Sequence, residues 1–198
     1  MKRVLLVDYG GVLGFDHIIQ KEELLAKRLG LTQVELNNRT SEKSVVGRLY
    51  RENKLSETEF WRRVSPKAKI DESLASEYTS MWMDTYCLNT EMMYYLQSLR
   101  TDMMIGILTN IDEGRSRLLE RIVDVEHNLD YYFPSYRFGF SKDDSWLWRL
   151  IKEELINYDV IYVDDRAEHV QSAEAVGWKG IRYFSLDLLK KQIESLIG

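Results

Sequence analysis

Carboxylates that end apolar runs, together with a hydroxyl, an amide and a lysine, are the residues of this chain that could do chemistry as a group. The run Val4-Leu5-Leu6-Val7 stops at Asp8, with Gly10 and Gly11 close behind. Met103 to Leu108 stops at Thr109-Asn110, and Val160 to Val163 stops at Asp164-Asp165. Three carboxylates within reach of one another repel unless a cation sits among them. No His or Cys cluster accompanies them, and hard oxygen ligands select Mg²⁺ over zinc. A hydroxyl, an amide and a lysine beside such a cation would suit a phosphoryl group. An Asp followed by Gly-Gly is also an ordinary turn closing a strand, so the chemistry depends on whether the runs converge.

Convergence needs a parallel sheet. Val4 to Val7 is apolar without alternation, which requires burial on both faces and reads as a central parallel strand. In open α/β sheets ligands bind at the carboxyl ends of strands, so the three polar ends would share one edge. Gly10 and Gly11 would let backbone approach a ligand where a Cβ collides.

The rest of the chain supplies helices between these strands. Asp16 can cap a helix to about Leu29 with Ile18, Leu25 and Leu29 on one face, stopped by Gly30. Thr32 with Glu35 and Ser56 with Glu59 are capping-box pairs. Val45, Val46, Leu49 and Tyr50 form a helical stripe, and Asp71 can cap a helix through Trp82. The segment from Phe15 to about Tyr86 therefore reads as helices only. Thr90 opens a helix to Leu99, and residues 112–125 read as helical. Tyr131 to Phe140 reads as an aromatic loop with room for a short strand. Asp143 can cap a helix carrying Trp146, Leu147, Leu150 and Ile151. Ala167, Val170, Ala173 and Val176 share a helix face that Gly177 ends. A segment from Gly180 to Phe184 and a helix from Leu186 to Ile197 complete an alternating βα pattern.

With 198 residues, 44% hydrophobic and 30% charged, the chain suits one good core with a smaller inserted unit. A net charge of -5 and a pI near 5.4 argue against nucleic acid or an anionic membrane as partner. One cysteine, Cys87, cannot form an internal disulfide, which fits a reducing cytoplasm. Met-Lys-Arg before Val-Leu-Leu-Val looks like a signal start, but Asp8 ends the apolar run too early. No stretch approaches the ~18 apolar residues of a membrane span. Oligomeric state is left open.

Four motifs in order resemble the haloacid dehalogenase-like hydrolase superfamily, in the branch with a helical cap after the first motif. Asp8-Tyr9-Gly10-Gly11-Val12-Leu13 matches the first motif, and Leu108-Thr109-Asn110 the second. Lys142 within Gly139-Phe140-Ser141-Lys142-Asp143 is similar to the third, and Val163-Asp164-Asp165-Arg166 to the fourth. The resemblance covers nearly the whole chain. It implies a Rossmann-like, mainly parallel sheet flanked by helices, made of residues 1–14 and 88–198, with an all-helical cap at 15–87. It also implies a Mg²⁺-dependent phosphatase acting on a small phosphorylated substrate, with Asp8 as nucleophile forming an aspartyl-phosphate. Lys142 would neutralise nucleophile and phosphate, with Thr109, Asn110 and Gly11 also binding the phosphate. Asp8, the Gly10 carbonyl, Asp165 and Asp164 would hold the metal, Asp165 directly.

Two departures bear on this. Phosphatases of the family place an acid two residues after the nucleophile, where this chain has Gly10, and a proline after the lysine, where it has Asp143. A regulatory or phosphate-binding protein of slow turnover is one alternative. A haloacid dehalogenase is another, opposed by the paired acids 164 and 165. Elsewhere Tyr50, Phe60, Trp61, Tyr78 and Trp82 read as insert core, and Arg48, Arg51, Arg62 and Arg63 as a solvated face. His17, His127 and His169 have no ligand spacing and read as structural or exposed. Cys87 reads as inert.

Overall fold

A computed structural model of the chain describes residues 2–16 and 19–197. The chain opens with strand β1 (Lys2–Val7) and the short strand β2 (Gly14–Asp16). Helices α1 (Ile19–Arg28), α2 (Gln33–Thr40), α3 (Val45–Arg51), α4 (Glu57–Val64) and α5 (Glu72–Met83) follow, then the short strand β3 (Tyr86–Leu88). Next come α6 (Thr90–Ser98), β4 (Met104–Thr109), α7 (Glu113–Val123), the single turn α8 (Val125–Asn128) and β5 (Tyr131–Pro134). The turn α9 (Ser135–Phe138), α10 (Ser145–Glu154), β6 (Tyr158–Asp164), α11 (Ala167–Ala175), β7 (Lys179–Arg182) and α12 (Leu186–Ile197) complete it.

Five of the described strands form one parallel sheet in the order β5-β4-β1-β6-β7. β1 is central, and the connections run outward from it in opposite directions, which opens a crevice at its carboxyl end. Register sets the strand ends level: Val7 pairs with Ile107 on one side and Val163 on the other. The unalternated run of β1 has a direct reason. Leu5 and Val7 pack into a core with Ile105, Ile107, Met92 and Ile193, while Val4 and Leu6 face Leu147, Trp148 and Ile151. Full burial of each such side chain contributes about 1.5–3 kcal/mol.

Helices α1 to α5 pack around their own apolar cluster of Leu25, Phe60, Trp61, Tyr78 and Trp82. Phe60 stacks on Tyr50 with ring centroids 4.1 Å apart, and lies 5.6 Å from Trp82. The expected aromatic residues are core, and both capping boxes form, at Thr32/Glu35 and Ser56/Glu59. Asp71 caps α5.

Several expectations are corrected. The segment 15–86 is not helices only: Phe15 and Asp16 pair antiparallel with Cys87 and Tyr86 in a two-stranded ribbon. Asp16 therefore ends a strand and α1 begins at Ile19, while His17 and Ile18 lie outside the described residues. Asp144, not Asp143, caps α10 by accepting from the Trp146 N–H. Val45, Trp146 and Leu150 are exposed, so those apolar stripes are narrower than the pattern implied. Residues 131–138 are ordered as a strand and a helical turn, because Tyr131 to Pro134 pairs with the edge of β4. No helix among the described residues is long and apolar enough to cross a membrane.

Candidate functional site

The sheet brings the three polar strand ends together. Asp8, at the end of β1, donates its N–H to the Val163 carbonyl (2.8 Å), which continues the ladder by one residue and turns its side chain into the crevice. Carboxylate oxygens of Asp8, Asp164 and Asp165 all lie within 4.8 Å of one another. Thr109 and Asn110 are buried at the neighbouring end of β4. Gly11 has a positive φ of 74°, and a Cβ there would stand 2.7 Å from the Asp165 carboxyl, so glycine is what lets the two loops approach. Its N–H donates to the Gly14 carbonyl (2.8 Å), so the amide serves the loop. Gly10 differs. Its φ is not positive, and a Cβ built on it meets no heavy atom within 4 Å.

Lys142 is the hub of this arrangement. It is 1% exposed, and its ammonium lies 2.9 Å from Asp8 Oδ1, 2.8 Å from Asp164 Oδ2 and 3.2 Å from the Tyr162 hydroxyl. Two bonds fix its backbone: its N–H donates to Asn110 Oδ1 (2.8 Å), and its carbonyl accepts from Trp148 Nε1 (2.8 Å). Burial opposes its charge, but Asp164, Asp8 and Glu42 outweigh that and raise its pKa. Asp164 is well anchored: Oδ2 accepts from Lys142, Tyr162 and His169 Nδ1 (3.1 Å), and Oδ1 from the Arg166 N–H (2.9 Å). Burial is overcome by Lys142 and His169, which hold its pKa well below the carboxylate range. His169 is structural, as expected, and His127 is exposed beside Asp124.

One ammonium serves two buried carboxylates. Burial above all pushes the Asp8 pKa up to about 8, Lys142 pulling against it and Asp164 adding to it. Burial and then Asp164 raise Asp165 as well. Uncompensated negative charge on hard oxygen donors is the setting that a divalent cation relieves, so the residues present fit Mg²⁺. Asp8, Asp165 and Asp164 each offer a ligand oxygen, with Asp164 Oδ2 the most heavily hydrogen-bonded of these.

The pocket in front of Asp8, with about 450 Å³ of open space, has a second wall that the pattern of motifs did not reveal. Glu42, Arg51 and Arg115 line it with Tyr86. Arg51 was expected on a solvated face with Arg48, Arg62 and Arg63; those three are exposed, but Arg51 is buried. Its Nη1 donates to the Thr40 and Gly47 carbonyls, each at 2.9 Å. Burial and the neighbouring Arg115 charge lower its pKa. Glu42 reaches from the α2–α3 loop to the sheet, accepting from Asn110 Nδ2 (3.0 Å) and pairing with Arg166 (2.9 Å). Burial resists its ionisation, yet Arg51, Lys142, Asn110 and Arg166 keep its pKa below the usual value. Ser135, fully buried, accepts from the Ile111 N–H (3.0 Å) and donates to the Arg51 carbonyl (2.9 Å). Only the Asp112–Arg115 spacing, an i,i+3 pair just after a strand end, was a local signal for any of these.

Solved structures match this architecture over nearly the whole chain. A HAD-family enzyme from Bacteroides thetaiotaomicron, in complex with magnesium and inorganic phosphate, superposes with a TM-score of 0.76 at 16% identity, covering 96% of this chain and 99% of that one. The chain has the haloacid dehalogenase-like fold. A 2-haloacid dehalogenase from Pseudomonas syringae pv. Tomato shares this HAD-like fold, with a TM-score of 0.63, 16% identity, and 92% and 86% coverage of the two chains. In sequence, drimenol cyclase DrtB of Aspergillus calidoustus is 22% identical over 155 residues, 75% of this chain; the match spans 29% of that relative's length. No family model matches the chain. Since the HAD-like fold is common to the phosphate-bound enzyme and the dehalogenase, the residues of the site must choose between reactions.

Proposed function

We propose that the chain is a Mg²⁺-dependent hydrolase that removes the phosphoryl group of a small phosphate ester through an aspartyl-phosphate on Asp8. The observation that carries this reading is the buried Lys142 ammonium between Asp8 and Asp164, with a third acid, Asp165, beside them. An acid pair of this kind answers a cation and a phosphoryl group, and a haloacid offers no reason for it. Asp8 attacks phosphorus, the bond from phosphorus to the ester oxygen breaks, and that oxygen takes up a proton from solvent water. Water then attacks the phosphorus of the aspartyl-phosphate, releasing inorganic phosphate and restoring the carboxylate. Lys142 holds Asp8 in line and offsets charge on the phosphoryl oxygens, with Thr109 as a hydroxyl donor beside them. Asp8, Asp165 and the Gly10 carbonyl would hold Mg²⁺, which when bound would supply charge neutralisation for nucleophile and phosphate. Residues 15–87 act as a cap, since Glu42, Arg51 and Tyr86 reach the pocket from that segment.

A second reading, a phosphate-binding protein of slow turnover, is favoured by Gly10, where no side chain can protonate the leaving group. Glu42, held ionised, does not replace that acid. Steady-state release of phosphate and of halide, with and without Mg²⁺, tests these readings. Mg²⁺-dependent phosphate release is expected. Halide release from a 2-haloacid without Mg²⁺ would overturn the proposal, and phosphate binding without turnover would favour the second reading.

A further inference from the structure

Two guanidiniums meet at the pocket wall, one from each side of it. Arg51 closes α3 in the helical insert, and Arg115 lies in the first turn of α7. Both stand against the Trp82 ring: Arg115 3.6 Å and Arg51 5.4 Å from its centroid. Arg115 Nε donates to Asp112 (2.6 Å) and its Nη1 to the Tyr86 hydroxyl (3.3 Å). Arg51 has only the carbonyls of Thr40 and Gly47. Arg51 Nε and Arg115 Nη2 are both buried without a hydrogen-bond partner among the described residues.

A buried, charged N–H without an acceptor is costly, and two like charges against one ring compound that. Asp112 compensates one of them. Glu42 acts on the other through space, but its hydrogen bonds go to Arg166 and Asn110, so the Arg51 Nε–H has no acceptor from it. A pocket lined by two buried guanidiniums, each keeping one N–H unused, is organised for an anion. Two donors from two planar guanidiniums match the two oxygens of a carboxylate.

We propose that Arg51 and Arg115 bind a carboxylate carried on the same small molecule as the phosphoryl group. This rests on the reading of the Asp8 edge as the phosphoryl site, and it narrows the substrate class to carboxylated phosphate esters.

Phosphonates, whose C–P bond resists hydrolysis, test this by binding alone. Propylphosphonate and 3-phosphonopropanoate differ by a methyl against a carboxylate, and calorimetry with the Mg²⁺-loaded protein measures both. The carboxylated ligand is expected to bind about 10–100-fold more tightly, the range for hydrogen bonds to charged groups. Arg115→Lys and Arg51→Lys keep the charge but lose the planar fork, and each should bring that ratio toward one, with thermal melts confirming folding. Equal affinities in the wild type, or a ratio unchanged in both variants, would overturn the proposal and leave the reaction standing. Failure of both ligands to bind would overturn this proposal and the phosphoryl reading together. A carboxylate preference without phosphate release from any ester would support the subsite and overturn the reaction.

Discussion

On the sheet side of the pocket Asp8, Thr109, Asn110, Asp164 and Asp165 sit at the ends of buried strands, whereas on the facing wall Glu42, Arg51 and Arg115 come from a loop and a helix end of the insert and a helix start of the core. The first wall is set by backbone hydrogen bonds. Register levels Val7, Ile107 and Val163, and whatever follows them arrives at one edge. The second wall is set by side-chain packing, with Arg115 stacked on Trp82 and Arg51 tied to two carbonyls. Groups positioned by a sheet hold their geometry, and groups positioned by packing can be exchanged without disturbing it. On the proposed reading the reaction belongs on the first wall and selectivity on the second.

The largest way to break this comparison is Asp8→Asn, a near-isosteric change. Turnover should fall on the order of 10⁴–10⁶-fold, the scale for loss of a nucleophile, with the melting temperature retained. Labelled phosphate trapped on a residue other than Asp8 would remove the mechanism. Next is Gly10→Asp. General acid assistance is worth about 10²–10⁴-fold, so the wild type should favour aryl or acyl phosphates over alkyl ones, and the variant should narrow that gap. The open space and absence of a positive φ at Gly10 make the substitution compatible with the loop. A wild type that strongly prefers alkyl phosphates would defeat the idea.

Smaller effects sharpen the contrast. Asp165→Ala should weaken Mg²⁺ binding by roughly 10–100-fold in a calorimetric titration. Asp164→Ala should act mainly on stability, by about 3–5 kcal/mol in denaturant, because it leaves Lys142 buried beside fewer carboxylates. Equal loss of metal affinity in the two variants would mean that their roles are not distinct. Thr32→Ala, which removes a capping box far from the strand ends, should cost about 1 kcal/mol of stability. Its kcat should be unchanged, and a fall in kcat would show that the two walls are not separable.

The same contrast explains what was legible in the sequence. Long apolar runs announce buried strands, and the residue after each run is a neighbour of the others once the sheet forms, so Asp8, Thr109, Asn110, Asp164 and Asp165 could be grouped in advance. Lys142 needed the family resemblance, since nothing local to Ser141-Lys142 points at Asp8. Arg51 could not be found, because its burial depends on Thr40, Gly47 and Trp82, and periodicity says nothing about which exposed-looking arginine turns inward. β2 and β3 escaped because three residues are too short to show alternation. Asp143 and Asp144 are adjacent, and either could cap α10 until the helix register is known.

Ser135 has a consequence of its own. One hydroxyl ties Ile111, at the sheet edge, to the carbonyl of Arg51 in the insert. The Ile111 amide is therefore sheltered by a side chain whose one proton has acceptors on both sides, the Arg51 and Ile111 carbonyls. Exchange of that amide with solvent requires the Ile111–Ser135 bond to open, so its protection is expected to fall with motions that draw Ser135 toward the insert. A single slow proton inside the core becomes a clock for that movement.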